Sequence, residues 1–248
     1  MTRFLLGSSL ACLLACAATV ASPSTGHGDC MPMGLVATVL SDTTSVPRQG
    51  ALLGALVDGP REHHRDAFPA QLHLQRDATR IAVRVEALSP GLVRLTPDRT
   101  PELGAWQLVG LDEAHTVTFV DSAVPAPPPA PRIQHAELRV RESRGFDNGR
   151  YESNVAVLNT PVPDGALALI NYVDGVASPR AWGRATRAAR EVSYYTDPVR
   201  CGRRVPGQRA TPVRTEAGVF AYVDGWGQLS APARANRGPV EAPASAPP

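Results

Sequence analysis

The residues with the richest ligand chemistry lie close together near the amino end: His27-Gly28-Asp29-Cys30-Met31-Pro32-Met33. Met31 and Met33 are the only methionines besides the initiator, and with His27 they form a soft set of donors suited to Cu(I). Cys30 pulls the segment toward a different chemistry. Two cysteines, Cys30 and Cys201, remain once the first 21 residues are set aside, and an even pair in an oxidising compartment is expected to form a disulfide. A disulfide sulfur is a poor metal ligand, so the two chemistries compete, and in the second Met31 and Met33 are packing thioethers.

A second concentration of charge lies between Arg180 and Arg214, with 9 Arg against Glu191 and Asp197, a local excess of +7. Guanidinium groups grip carboxylates and phosphates through paired N–H donors. Arg180, Arg184, Arg187, Arg203 and Arg204 are therefore candidate contacts for an anionic envelope component or an acidic protein partner. The competing account is that arginine is simply this chain's surface cation. The sequence holds 25 Lys+Arg, and every one of them is arginine. The formal net charge of +2 does not advertise nucleic acid.

The absence of lysine excludes chemistry that needs a free amine: the P-loop, the Schiff base, the kinase strand lysine and the S-x-x-K nucleophile. No G-x-S-x-G or H-E-x-x-H occurs. Arg61-Glu62-His63-His64-Arg65-Asp66 gathers histidines and carboxylates, but adjacent residues on a strand point to opposite faces, so the run reads as a solvated loop. His115 and His135 open strands and read as structural. Asp147, Asn148, Glu152 and Asn154 lack EF-hand spacing, and Asn148-Gly149 is explained by a hairpin turn. The expectation is a protein without catalytic machinery and without a cofactor, copper being the alternative. An enzyme with a site dispersed over loops ranks below both.

The elements that must position these residues are short. Apolar or alternating runs recur at Leu35–Leu40, Ala51–Val57, Ala70–Gln75, Arg80–Ala87, Gly91–Thr96, Gly104–Leu111 and His115–Val120. In Arg80 to Glu86 the period of two puts Ile81, Val83 and Val85 on one face and charges on the other, as a half-buried antiparallel strand requires. Trp106, Leu108 and Phe119 are expected in the core. Further strands are expected at Ala136–Glu142, Glu152–Leu158, Ala166–Tyr172, Glu191–Tyr195 and Gly218–Val223, with Tyr222 and Trp226 flanking a Val223-Asp224-Gly225 corner. The stretch Ser178 to Arg190 can start a helix at Ser178-Pro179, which would align Arg180, Arg184 and Arg187. Gly183 and its shortness favour a long loop with at most one helical turn.

Met1 to Ala21, MTRFLLGSSLACLLACAATVA, reads as an export signal cleaved after Ala21. Leu13-Leu14-Ala15-Cys16 offers a rival end, a lipobox with Cys16 as the lipidated first residue. Localisation is accordingly expected in the periplasm, on the outer membrane as a lipoprotein, or outside the cell. No later segment is long and apolar enough to span a bilayer as a helix. VPAPPPAP at Val124 to Pro131 reads as a stiff spacer. The expected units are residues 31–123 and 132–231, with a loose Ala/Pro-rich tail over 232–248. By charge the first unit is acidic and the second basic: residues 35–122 carry 8 Arg and 11 acids, net −3, and residues 132–231 carry 14 Arg and 10 acids, net +4.

Ser45-Val46-Pro47-Arg48-Gln49-Gly50, Leu95-Thr96-Pro97-Asp98, Leu103-Gly104-Ala105-Trp106 and Val117-Thr118-Phe119 resemble the bacterial extracytoplasmic Ig-like pattern, with Trp106 where that family often has tyrosine. Val219 to Ser230 resembles the last strand of fibronectin type III-like modules, with Gln228 in place of the usual asparagine. The resemblance implies two Ig-like or fibronectin type III-like β-sandwiches in tandem after a signal peptide. Such folds carry many unrelated functions, so the implied role is a binding or structural module of the envelope or the secreted space.

Overall fold

The computed structural model describes residues 34–40, 45–59, 65, 67–142, 150–172, 179–194 and 218–235. Across these residues the protein is all-β, with no helix. The first eight strands are β1 (Gly34–Val39), β2 (Ser45–Pro47), β3 (Leu52–Gly59), β4 (Leu72–Arg76), β5 (Thr79–Ser89), β6 (Leu92–Pro97), β7 (Gly104–Val109) and β8 (His115–Val120). Seven are the runs expected from periodicity. The eighth, β2, is three residues long and pairs parallel to β8, too short to leave a period in the sequence.

An Ig-like sandwich divides its strands between two sheets. Here all eight belong to a single sheet in the order β1-β3-β6-β5-β4-β7-β8-β2. Its two edges, β1 and β2, are consecutive in the chain. The six Cα steps from Val39 to Ser45 reach at most about 21 Å, whereas a flat sheet of this width would separate its edges by about 33 Å. The sheet must therefore curl, and one face of every strand lines its interior: Val39, Val46, Leu52, Leu74, Ile81, Val83, Leu95, Leu108, Val117 and Phe119 share one core with Trp106. Trp106 satisfies its buried indole by donating to the Glu102 carbonyl at 2.9 Å, and Arg76 stacks 4.5 Å above the ring centroid.

The remaining strands are β9 (Ile133–Glu142), β10 (Arg150–Leu158), β11 (Ala166–Tyr172), β12 (Pro179–Arg184), β13 (Glu191–Tyr194), β14 (Val219–Asp224) and β15 (Ala233–Arg234). They form a three-stranded sheet, β13-β10-β9, facing a four-stranded one, β12-β11-β14-β15. Ala156, Leu158 and Val192 from the first meet Leu169, Phe220 and Tyr222 from the second in a sandwich core. Tyr194 packs edge-to-face on Phe220, centroids 5.5 Å apart, and burial pushes its phenol up to about 12. The Asp147-Asn148-Gly149 turn, expected between β9 and β10, lies outside the described residues.

The stretch Ser178 to Arg190 departs from expectation. Its first half, Pro179–Arg184, is the strand β12, paired with β11, and the shared helical face for Arg180, Arg184 and Arg187 does not exist. Gly183, expected to disfavour a helix, serves close approach. A Cβ there would sit 1.9 Å from the Ser193 carbonyl oxygen, so glycine lets β12 and β13 meet where the two sheets converge.

The four-stranded sheet is buried on both faces. Phe220 and Tyr222 point into the sandwich, while Val219, Ala221 and Val223 alternate with them and pack, together with Ala168, Ile170 and Tyr172, against Leu40, Leu53, Ala55, Leu88 and Leu92 of the curled sheet. Every position of β14 is buried. On β3 the same alternation sends Leu52 into the curled sheet and Leu53 outward into this junction. A β-bulge between Ala87 and Ser89 leaves Leu88 as the extra residue, and it too packs in the junction. The Pro-rich segment at 124–131 thus connects strand sets that touch directly.

Candidate functional site: an arginine-rimmed groove at the junction

Backbone and side-chain polar groups complete the junction. Leu53 N–H donates to the Gly225 carbonyl at 3.1 Å, Trp182 Nε1 to the Pro90 carbonyl at 3.0 Å, and Gln228 Nε2 to the Pro125 carbonyl at 2.8 Å. Arg94, on the outer face of β6, donates through Nε to the Gly227 carbonyl at 2.8 Å and is flanked by Glu86.

All of these hydrogen bonds except that of Trp182 converge on one turn, residues 224–228, at the end of β14. Asp224 is 2% exposed. Its Oδ1 accepts the backbone N–H of Trp226 at 2.9 Å and of Gln228 at 2.8 Å, and its Oδ2 accepts Gln228 Nε2 at 3.1 Å. Burial raises the carboxyl above its ordinary range; the donated hydrogen bonds and the Arg94 charge pull the other way without cancelling the rise. Gly227 takes a positive φ of 70°, which closes the turn. The Val223-Asp224-Gly225 corner expected from sequence is therefore present, with Trp226 packed against the core of the curled sheet.

Beside this turn lies an open groove of about 650 Å³. Its apolar lining is Ala166, Leu167, Ala185 and Trp226; Arg184 and Arg187 stand on its rim with Asp164. The strand geometry of β12 explains Arg184: Ala181 faces the sandwich core, so Trp182 and Arg184 face the junction side. Arg187 sits in the turn held by Ala189 N–H to Thr186 carbonyl at 3.0 Å, with Ala188 at a positive φ of 62°. It pairs with Asp164 at 2.7 Å, both side chains being largely exposed. The exposed Arg184 guanidinium makes no ion pair among the described residues. The groove can thus offer an anion one guanidinium that has no ion-pair partner among the described residues and a second whose carboxylate partner is itself in solvent, above an apolar floor.

Two of the five arginines singled out from sequence, Arg184 and Arg187, are brought together here. Of Arg180 only the backbone is described, in β12; Arg203 and Arg204 lie outside the described residues, as do Cys16, His27, Cys30, Met31, Met33 and Cys201. Among the described residues no group of three or more His, Cys, Asp or Glu could hold a metal ion, and no helix is long and apolar enough to cross a membrane. His115 is held below its ordinary pKa by burial. His135 Nε2 lies 3.3 Å from a Glu137 carboxylate oxygen. Sequence reasoning placed Trp226 at a corner but not beside Arg184. The two are far apart in the chain, and the sheet ladder joins them: on β11, Ala168 pairs with Arg184 and Ala166 with Asp224.

No protein-family model, curated protein or solved structure matches this chain. The Ig-like resemblance therefore rests on the quoted residues alone.

Proposed function

We propose that the protein is an exported, non-catalytic binding module, acting at the cell envelope or outside the cell, that engages an anionic envelope component through the groove beside Trp226. The observation that carries this reading is the placement of the exposed Arg184, which has no ion-pair partner among the described residues, beside Arg187 over an apolar floor. A polyanion can contact both guanidiniums while covering Trp226 and Leu167, which otherwise remain part-exposed. Export is supported by the hydrophobic Met1 to Ala21 segment, and the fibronectin type III-like reading of the second unit by its two facing sheets and the turn closing β14; the Ig-like reading of the first unit keeps the strand content and the buried Trp106 but meets a single curled sheet in place of two.

The test is cosedimentation of the exported protein with vesicles containing phosphatidylglycerol, with zwitterionic vesicles as control. Binding is expected at low salt and should weaken as the screening length falls from about 10 Å at 0.1 M to about 3 Å at 1 M. Arg184→Glu should weaken binding about tenfold or more, since each cation near an anionic surface contributes about 1 kcal/mol. Absence of binding at low salt would end the proposal. Binding lost only on reversal of Arg203 and Arg204 would move the site out of the groove.

A further inference from the structure

The sheet edges of this protein are managed unequally. Along β1 the edge is occupied: Arg65 N–H donates to the Leu35 carbonyl at 3.0 Å and Ala37 N–H to Asp112 Oδ2 at 2.8 Å. At the opposite edge β2 has only three residues and ends in proline, and β15 has only two. The edges β12 and β13 converge on one another at Gly183 and Ser193. Each of these is a recognised way of blocking pairing with another chain.

β9 is different. It is ten residues long, lies at the end of its sheet and pairs with β10 on one side through a ladder interrupted only by a bulge between Val157 and Leu158. Among the described residues no backbone hydrogen bond outside that ladder reaches positions 133–142. Alternate N–H and C=O groups on its other side therefore have no backbone partner among the described residues.

We infer that β9 pairs antiparallel with β9 of a second copy, joining two three-stranded sheets into one across a two-fold axis. The charge order of the strand selects the register. With the axis at Leu138, Glu137 of each copy stands opposite Arg139 of the other, giving two identical cross-strand pairs of opposite charge; with the axis at Arg139, two arginines would oppose one another. Arg139 Nε donates to Glu137 of its own chain, and Nη1 and Nη2 donate to Glu191 at 2.6 and 2.9 Å. Glu191 lies on β13, beyond β10, so the guanidinium is turned across the sheet and exchanges Glu191 for Glu137 of the second copy on pairing. The neighbouring Glu191 and Glu137 hold the guanidinium in its charged form, raising its pKa further.

Sedimentation velocity of the purified protein over a concentration series tests this, with far-UV circular dichroism to establish that each variant is folded. The wild type should show a monomer–dimer equilibrium. Glu137→Arg turns both cross-strand pairs repulsive and should raise the dimer Kd about tenfold; the double variant Glu137→Arg with Arg139→Glu restores opposite charges and should return the Kd to within about threefold of wild type. A wild type that stays monomeric at every concentration, a dimer indifferent to Glu137→Arg, or a double variant no better than the single would each overturn the inference.

Discussion

The two strand sets bury their apolar residues by different rules. The curled sheet has one interior and keeps much of its outer surface in water, so β5 reads as alternating buried and exposed positions from Ile81 to Val85. The four-stranded sheet has the sandwich core on one face and the curled sheet on the other, and β14 is buried at all six positions. A strand that meets water on one side announces its facing in the sequence, and a strand between two cores does not. Val219 to Asp224 marks a strand in the sequence, but not that half its side chains hold the protein's two parts together.

That contrast is sharpened first by the tie that would add most to it. A Cys30–Cys201 disulfide would close a loop of about 170 residues, and chain entropy assigns such loops about 4–5 kcal/mol. Thiol alkylation with intact mass should find both cysteines blocked in the exported protein, and reduction should lower its denaturation midpoint. Two free thiols would remove this tie and strengthen the copper alternative.

Ile170→Ala, in the junction core, should cost about 2–5 kcal/mol, as should Leu169→Ala in the sandwich core one residue earlier. Chemical denaturation of both variants checks whether the two faces of β11 contribute alike. A junction substitution costing under about 1 kcal/mol would show that the strand sets merely touch.

Asp224→Ala should cost about 2–4 kcal/mol, because it orphans the Trp226 and Gln228 backbone donors in a buried turn. Asp224→Asn, which keeps an acceptor, should cost less. The pH dependence has a definite sign. The carboxyl pKa is raised in the folded state, so the folded protein binds the proton more tightly than the unfolded chain, and the wild type should lose stability relative to Asp224→Asn as pH rises through that elevated value. Urea titrations of both proteins from acid to neutral pH would show it; an advantage that grows with rising pH would contradict the burial-driven shift.

The smallest effect concerns the amino end. Met31→Leu with Met33→Leu should change stability by less than about 1.5 kcal/mol, because the swap nearly conserves volume. If copper binding is real, the same pair should abolish Cu(I) capture in competition with a chelator.

Much of the scaffold was legible because its signals are local. Seven strands of the curled sheet, the buried Trp106 and Phe119, and the 224–228 corner follow from alternation and turn chemistry over a few residues each. β2 was missed because three residues carry no period, and β12 because Gly183 carries two meanings, helix breaker and close-approach residue, that only the neighbouring Ser193 carbonyl decides. The groove was half legible: arginine density marked Arg184 and Arg187, but their meeting with Trp226 depends on β11 pairing with β12 on one side and β14 on the other, which no local pattern states.

Differential scanning calorimetry of the purified protein addresses the junction most directly. With one sheet buried on both faces and shared between the two strand sets, a single transition is expected, its van't Hoff enthalpy matching the calorimetric one, and Ile170→Ala should move that whole transition down. Two resolved transitions, of which Ile170→Ala shifts only one, would contradict the account and show that the strand sets fold as independent units.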